Sequence, residues 1–176
     1  MNCPNSSLLN EYNLPSLTSD YENVYSNEYF ARVGKLLNDY GYDYYGRKGF
    51  YYVSNMKATN RINALLNFYY GLIEHRLLND ISYYNLDYNI SFLHEPQYNK
   101  ISLTYDLIEQ LRSDIDRVVL RLAEKRMIKD SDFELTNGYY LIKEDRIKKY
   151  QREIAPVENV FLREADILCF LEDIII

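Results

Sequence analysis

The sequence has few of the residues that most metal and redox motifs require. Its 176 residues include two cysteines, two histidines and no tryptophan. Cys3 and Cys169 lie near opposite ends of the chain, so they form neither a zinc-finger spacing nor a Cys-x-x-Cys redox pair. No glycine-rich phosphate loop and no Ser/His/Asp order of a hydrolase is present. We therefore expect a reduced, cytoplasmic protein whose function does not depend on cysteine.

Long apolar runs and an excess of positive charge are also missing. No apolar run approaches the roughly 20 residues that span a membrane, and the first residues lack the basic and then apolar pattern of a signal peptide. The formal net charge is −6 at pH 7, which is the wrong sign for a general DNA-binding protein. Any binding of DNA must therefore use a local basic surface on an acidic protein.

The composition is that of an ordinary globular domain, with 47% hydrophobic and 26% charged residues. We expect a flexible lead over residues 1–18 and one folded domain over 19–176. The periodicity predicts a mainly α fold with one small β-hairpin that turns at Asn137-Gly138. The predicted elements are helices over 19–38, 59–79 and 101–127, a hairpin over 133–142, a basic helical segment up to Pro156, and a final helix over 157–174.

The helix that begins near Ser102 organises the rest of the chain. Its apolar residues recur every three or four positions and form one buried stripe: Leu103, Leu107, Leu111, Ile115, Val118 and Leu122. Asp106 and Glu109 lie off this stripe, one turn apart, so both carboxylates can face away from the core. His94 precedes this helix in a polar segment. Two carboxylates and an imidazole can hold a divalent cation, although solvated acids and a structural histidine give the same pattern.

Other segments carry chemistry but leave two interpretations open. Arg47 and Lys48 lie in a loop with many tyrosines (39–56), which either contacts DNA or packs on the helices. Asn63, near the start of the second helix, either supports a ligand or phosphate or is a helix-start or solvent-facing residue. Basic residues near the ends of the later helices either bind phosphate or balance nearby acids: Arg117, Arg121, Lys125, Arg126, Lys129, Arg146, Lys148, Lys149 and Arg152.

Three blocks of the sequence resemble the CRISPR-associated integrase, the protein that inserts new spacers into CRISPR arrays. The first is Phe92-Leu93-His94-Glu95 followed by Asp106-Leu107-Ile108-Glu109-Gln110-Leu111-Arg112. The second is Asn63-Ala64-Leu65-Leu66, which continues to Tyr70-Gly71, and the third is Glu22 followed by Tyr29-Phe30. The family also has an N-terminal β-rich domain that nothing before Asp20 could form. We therefore expect either a naturally small member or an isolated catalytic domain.

The resemblance implies a metal-dependent DNA integrase and endonuclease. In that family pattern Glu22, His94 and Glu109 would bind Mg²⁺ or Mn²⁺, with Asp106 as an alternative ligand or a supporting group. Glu22 also fits a helix-capping box with Ser19. The implied DNA contacts are Arg47, Lys48, Asn63 and Arg112, and Arg112 could instead brace the carboxylates.

The implied partners are prespacer DNA, the CRISPR repeat, further copies of the chain in a homodimer or larger assembly, and a small bridging protein. Two alternatives remain: a related integrase of a mobile element, and a non-catalytic helical subunit that binds DNA or supports assembly.

Overall fold

The structure, a computed structural model, describes residues 28–44, 46, 58–90 and 101–161, with side chains up to residue 156. These residues form a mainly α-helical fold with a two-stranded antiparallel hairpin, as the sequence predicted. The predicted lead over 1–18 and residues 162–176 lie outside the described part. The elements are α1 (28–39), α2 (Arg61–Tyr83), α3 (Ser102–Glu124), a 3-10 turn (Asp130–Asp132), β1 (Phe133–Thr136), β2 (Tyr139–Ile142) and α4 (Glu144–Phe161).

The core lies mainly between α2 and α3. The six apolar residues predicted as the buried stripe of α3 are all buried. The facing side of α2 buries residues three and four apart: Ile62, Leu65, Leu66, Tyr69, Ile73, Leu77 and Ile81. α2 begins where Asn60 caps it, because the Asn60 Oδ1 accepts a hydrogen bond from the backbone N–H of Asn63 at 2.8 Å. These two helices form the rigid frame of the molecule.

The hairpin turns at Asn137-Gly138, as predicted. Both residues have positive φ, 52° and 81°, which is the backbone that a two-residue turn between right-twisted strands requires. Phe133 pairs with Ile142 and Thr136 with Tyr139. The backbone N–H of Tyr140 donates to the carbonyl of Ala58 at 3.0 Å, which attaches the hairpin to the residues before α2.

A buried carboxylate fixes α4 against the hairpin. Asp132 Oδ2 accepts hydrogen bonds from Lys149 Nζ at 2.6 Å and from the hydroxyl of Tyr150 at 2.8 Å. Tyr150 is itself fully buried, and its carbonyl accepts from the hydroxyl of Tyr69 at 3.1 Å. One carboxylate thereby links the start of β1 to α4, and through Tyr150 to α2.

Two details of the predicted helices are wrong. Helical spacing predicts Leu36 on the inward face of the first helix beside Val33 and Leu37, but Leu36 is exposed, while Val33 and Leu37 are buried as predicted. Pro156 was expected to end its helix, yet α4 continues through it to Phe161. Proline removes one backbone donor and crowds the preceding turn, but its fixed φ is helical, so one proline does not have to stop a helix that is anchored by buried Tyr150 and Ile154. In the part of the chain that the structure describes, no helix is both long and apolar enough to cross a membrane.

Candidate active site

α3 presents a polar face as well as its apolar stripe. Glu109, Arg112 and Asp116 follow one another at spacings of three and four, so they line one side of the helix. Asp116 is seven residues after Glu109, which places the two within about 20° of each other around the helix axis. Neither is a solvated surface acid, because the Glu109 side chain is only 25% exposed and Asp116 is buried.

Arg112 braces Glu109. Its Nη2 donates to Glu109 Oε1 across one turn of α3, and its guanidinium lies over the ring of Tyr70 on α2, with 5.8 Å between Cζ and the ring centroid. A guanidinium held by both a carboxylate and an aromatic face has little rotational freedom. Two roles were considered for Arg112, contact with phosphate and support of the carboxylates. Its contact with Glu109 is the one expected for support of the carboxylates.

Asp116 joins three helices. Its Oδ1 accepts from the hydroxyl of Tyr70 on α2 at 3.1 Å, and its Oδ2 accepts from the hydroxyl of Tyr29 on α1 at 3.0 Å. Burial, the negative charge of Asp116 and this hydrogen bond together raise the pKa of Tyr29 far above its usual value. The Tyr29 hydroxyl therefore remains a donor at any physiological pH.

The sequence analysis missed the role of Asp116. An aspartate opposite an apolar stripe is typical of a solvated helix face, and only the tyrosines of α1 and α2 cover it. One signal was available, because the spacing of seven residues places Asp116 on the same face as Glu109. Tyr29 and Tyr70 already stood in the blocks that carried the family resemblance.

Asp106 does not occupy the open face that we expected. It is fully buried, whereas the Glu109 side chain is 25% exposed. Asp106 lies about 60° around the helix from Glu109, between the polar face and Leu103 of the apolar stripe. Of the two carboxylate residues, only Glu109 is therefore partly exposed.

Asn63 is buried rather than solvent-facing. Its Nδ2 donates to the carbonyl of Gly46 at 3.1 Å, so the side chain holds the residue that immediately precedes Arg47 in the chain. Its Oδ1 is buried and finds no hydrogen-bond partner in the described part of the protein. The geometry gives Asn63 a role in holding the loop that leads to Arg47 and Lys48.

The basic residues of α3 and α4 divide into two groups. Lys149 is partly buried and bonded to Asp132, Arg117 donates to Asp114 at 2.9 Å, and Arg146 Nε lies 3.1 Å from Asp145 Oδ2, so these three balance nearby acids. A second group is exposed at the end of α3, at the residues just after it and on the outer side of α4: Arg121, Lys125, Arg126, Lys129, Lys148 and Arg152. This exposed group, which we call the basic surface, keeps the phosphate-binding interpretation open.

Four of the predicted site residues lie outside the described part of the chain, namely Glu22, His94, Arg47 and Lys48. Within the residues that are described, no group of three His, Cys, Asp or Glu side chains could hold a metal ion. The described part of the predicted ligand set is Glu109, with Asp106 nearby. Carboxylate oxygens are the donors that Mg²⁺ and Mn²⁺ prefer, so the chemistry of these residues fits a hard divalent cation.

Comparison with known proteins gives a consistent result. Residues 7–155 match the family model described as CRISPR associated protein Cas1. The chain is 32% identical over 130 residues to a CRISPR-associated endonuclease Cas1 of Clostridium perfringens, a match that covers 73% of this chain and 37% of that protein. A Cas1 endonuclease of Archaeoglobus fulgidus is 36% identical over 113 residues, which is 64% of this chain and 32% of the relative.

Solved structures have the same fold. The chain is similar to a casposase bound to its integration product, with a TM-score of 0.60 and 32% identity over 66% of this chain and 34% of the casposase. A Cas1 protein from Thermotoga maritima matches 86% of this chain and 48% of its own length, with a TM-score of 0.69 and 22% identity. The chain thus spans less than half the length of each of these proteins.

Proposed function

This chain belongs to the Cas1 family of CRISPR-associated proteins, and from that premise we propose that it is a metal-dependent DNA integrase and endonuclease. It would insert new spacer DNA into a CRISPR array by transesterification. The observation that best supports the proposal is the polar face of α3. There Glu109 is braced by Arg112, and its side chain stays partly exposed.

The proposed metal ligands are Glu22, His94 and Glu109. A bound Mg²⁺ or Mn²⁺ would supply polarisation of the scissile phosphate and stabilisation of the leaving oxygen. The chain's own residues hold and orient the groups around it. Arg112 keeps the Glu109 carboxylate in one orientation, and we propose Asp106 as an alternative ligand or a supporting group beside it. Rigid support of this kind keeps reacting groups within the narrow geometry that phosphoryl transfer requires.

The reaction is an exchange of phosphodiester bonds. The 3′-hydroxyl of the incoming DNA loses its proton and forms a bond to a phosphorus of the target strand. The bond between that phosphorus and the target's 3′ oxygen breaks, and the leaving oxygen takes up a proton. When water replaces the DNA hydroxyl, the same exchange is hydrolysis, which is endonuclease activity. No side chain becomes covalently attached in either reaction.

We propose that two groups of basic residues hold DNA. Arg47 and Lys48 follow the loop that Asn63 anchors at Gly46, and the basic surface of α3 and α4 supplies exposed cations for backbone phosphates. We propose prespacer DNA and the CRISPR repeat as substrates. A second copy of the chain and a small bridging protein are the proposed protein partners.

An integration assay tests this function. Purified protein is mixed with a short duplex that has free 3′-hydroxyl ends, a supercoiled plasmid that carries a CRISPR repeat, and Mn²⁺. We expect covalently joined, relaxed product that disappears when EDTA is added. Glu109→Gln keeps the shape of the side chain but removes its charge, and we expect it to lower the rate at least 100-fold, in line with loss of a catalytic metal ligand.

The matched control is Glu124→Gln, because Glu124 is an exposed glutamate at the end of the same helix. It should transfer strands at the wild-type rate. Product formed equally well by Glu109→Gln would refute the assignment of the site. A folded wild-type protein that binds DNA but neither binds Mn²⁺ nor joins strands would favour the non-catalytic helical subunit.

The match to a casposase supports a second candidate, the integrase of a mobile element. The chemistry would be the same and the target would differ. Two plasmids separate the candidates, one with a leader and CRISPR repeat and one with the same sequence scrambled. Insertion concentrated at the repeat favours spacer acquisition, whereas equal insertion into both plasmids favours the mobile-element integrase.

A further inference from the structure

Asp116 is a buried carboxylate outside the set of residues considered above for metal or DNA. It is 2% exposed, and each of its oxygens accepts a hydroxyl from a different helix, Tyr70 on α2 and Tyr29 on α1. Burial of a carboxylate costs free energy unless hydrogen bonds replace the lost water. The sequence places this group where an apolar residue would pack at lower cost. The arrangement therefore calls for an explanation beyond packing.

A continuous set of contacts leads from Asp116 to Glu109. The hydroxyl of Tyr70 is fixed by Asp116, which limits where the ring of Tyr70 can lie. The guanidinium of Arg112 lies over that ring and donates to Glu109. Each contact restricts one degree of freedom of the next group. These contacts connect Asp116 to the Glu109 carboxylate, two turns away on the same face of α3.

We propose that Asp116 is a positioning residue for Glu109 and acts through Tyr70 and Arg112. This inference rests on the proposed function, in which Glu109 is a metal ligand. Tyr29 holds the second oxygen of Asp116, so α1 contributes to the same arrangement. The consequence is that loss of one hydroxyl, distant from any metal, weakens metal binding and strand transfer.

A second buried carboxylate in this chain provides the control. Asp132 also accepts a hydrogen bond from a tyrosine hydroxyl, that of Tyr150 at 2.8 Å. It lies at the hairpin, where its other partners are Lys149 and Arg146. Tyr70→Phe and Tyr150→Phe each remove one hydroxyl that donates to a buried aspartate. Asp116→Asn and Asp132→Asn form a second matched pair, in case one variant of the first pair does not fold.

Three measurements on the full chain test the proposal. Mn²⁺ affinity is measured from the electron paramagnetic resonance signal of the free ion, and strand transfer is measured across a Mn²⁺ titration. The third measurement is the ¹⁵N–¹H NMR signal of Arg112 Nε, which reports the ring current of Tyr70. For Tyr70→Phe and Asp116→Asn we expect a dissociation constant for Mn²⁺ about tenfold higher, the lower end of the range for groups that orient metal ligands. The Arg112 signal should shift, whereas both variants at the Asp132 site should leave it and the Mn²⁺ affinity unchanged.

Each outcome decides between positioning and plain stability. An unchanged Arg112 signal in Tyr70→Phe refutes the chain of contacts. A shifted signal with wild-type Mn²⁺ affinity refutes the positioning role, because the altered contact would then have no effect on metal binding. An equal loss of affinity at the Asp132 site also refutes it, because that loss would follow from stability alone. If the wild-type chain itself binds no Mn²⁺, the proposed function fails and the positioning proposal fails with it. Wild-type binding with unaffected variants overturns the positioning proposal only.

Discussion

Replacing Asp132 with asparagine should destabilise the protein in a pH-dependent way. The carboxylate accepts from Lys149 Nζ at 2.6 Å and from the Tyr150 hydroxyl at 2.8 Å, and Arg146 Nε lies 3.7 Å from its other oxygen. Asparagine keeps one acceptor oxygen and places an NH₂ group where the second acceptor was. Breaking a buried pair of charges typically costs about 3–5 kcal/mol. Because Lys149 is 30% exposed, we expect a loss of about 3 kcal/mol.

The pKa of Asp132 gives the sign of the pH dependence. Burial alone raises that pKa, but hydrogen bonds from Lys149 and Tyr150 and the positive charges of Lys149 and Arg146 outweigh burial and hold it below its usual value. The charged form is therefore the one that stabilises the fold. Its contribution is complete above the unfolded-state pKa of about 3.9 and is lost as the pH falls through the lower folded-state pKa.

Urea and thermal unfolding of wild type and Asp132→Asn at pH 7 and at pH 3 measure this effect. At pH 7 the variant should have a midpoint of thermal unfolding lower by about 6–12 °C, at roughly 2–4 °C per kcal/mol for a chain of this size. At pH 3 the difference in the free energy of unfolding should be smaller. The control is Asp114→Asn, since this more exposed aspartate pairs with Arg117 at the surface and should change stability by less than about 1 kcal/mol. An equal difference at both pH values would refute the electrostatic explanation.

Two further predictions test the parts of the fold that the sequence analysis got wrong. Leu37→Ala should lower the free energy of unfolding by about 2–5 kcal/mol, because Leu37 is 1% exposed. Leu36→Ala should change it by less than about 0.5 kcal/mol, because Leu36 is 44% exposed. Urea unfolding measures both, and equal losses would contradict the assignment of the buried face. Pro156→Ala should raise the free energy of unfolding by up to about 3 kcal/mol, since alanine restores a helical hydrogen bond within α4. Gln151→Ala, an exposed change in the same helix, is the control, and a Pro156→Ala protein no more stable than wild type would show that the helix is already distorted there.

The main elements could be predicted because their signals are local. The six apolar residues of the α3 stripe recur at helical spacing, and all six are buried. The Asn137-Gly138 turn requires two positive φ values, and both occur. The boundaries differ by a few residues, since α2 ends at Tyr83 instead of 79 and α3 ends at Glu124 instead of 127. Helix ends depend on fraying and caps that periodicity does not record.

The candidate site was predicted only in part, because its supporting contacts come from other helices. The spacing of Glu109 and Arg112 predicts that they can meet on α3, and they do. Nothing local to α3 indicates that Tyr70 lies beneath the guanidinium of Arg112. Likewise, nothing local to α4 indicates that Lys149 donates to Asp132. Glu22 and His94 lie outside the described residues, so their roles as metal ligands stay predictions.

Sequence alone determined the apolar stripe of α3, where the hairpin turns and which family the three blocks resemble. These properties follow from residue spacing and from backbone preferences that act over a few positions. Only the tertiary structure decided which polar faces are covered. Asp116 is buried because α1 and α2 bring Tyr29 and Tyr70 to its two oxygens, and Asp106 is buried while Glu109, one turn further along α3, is not. A carboxylate becomes a support instead of a solvated charge only when distant residues supply its donors.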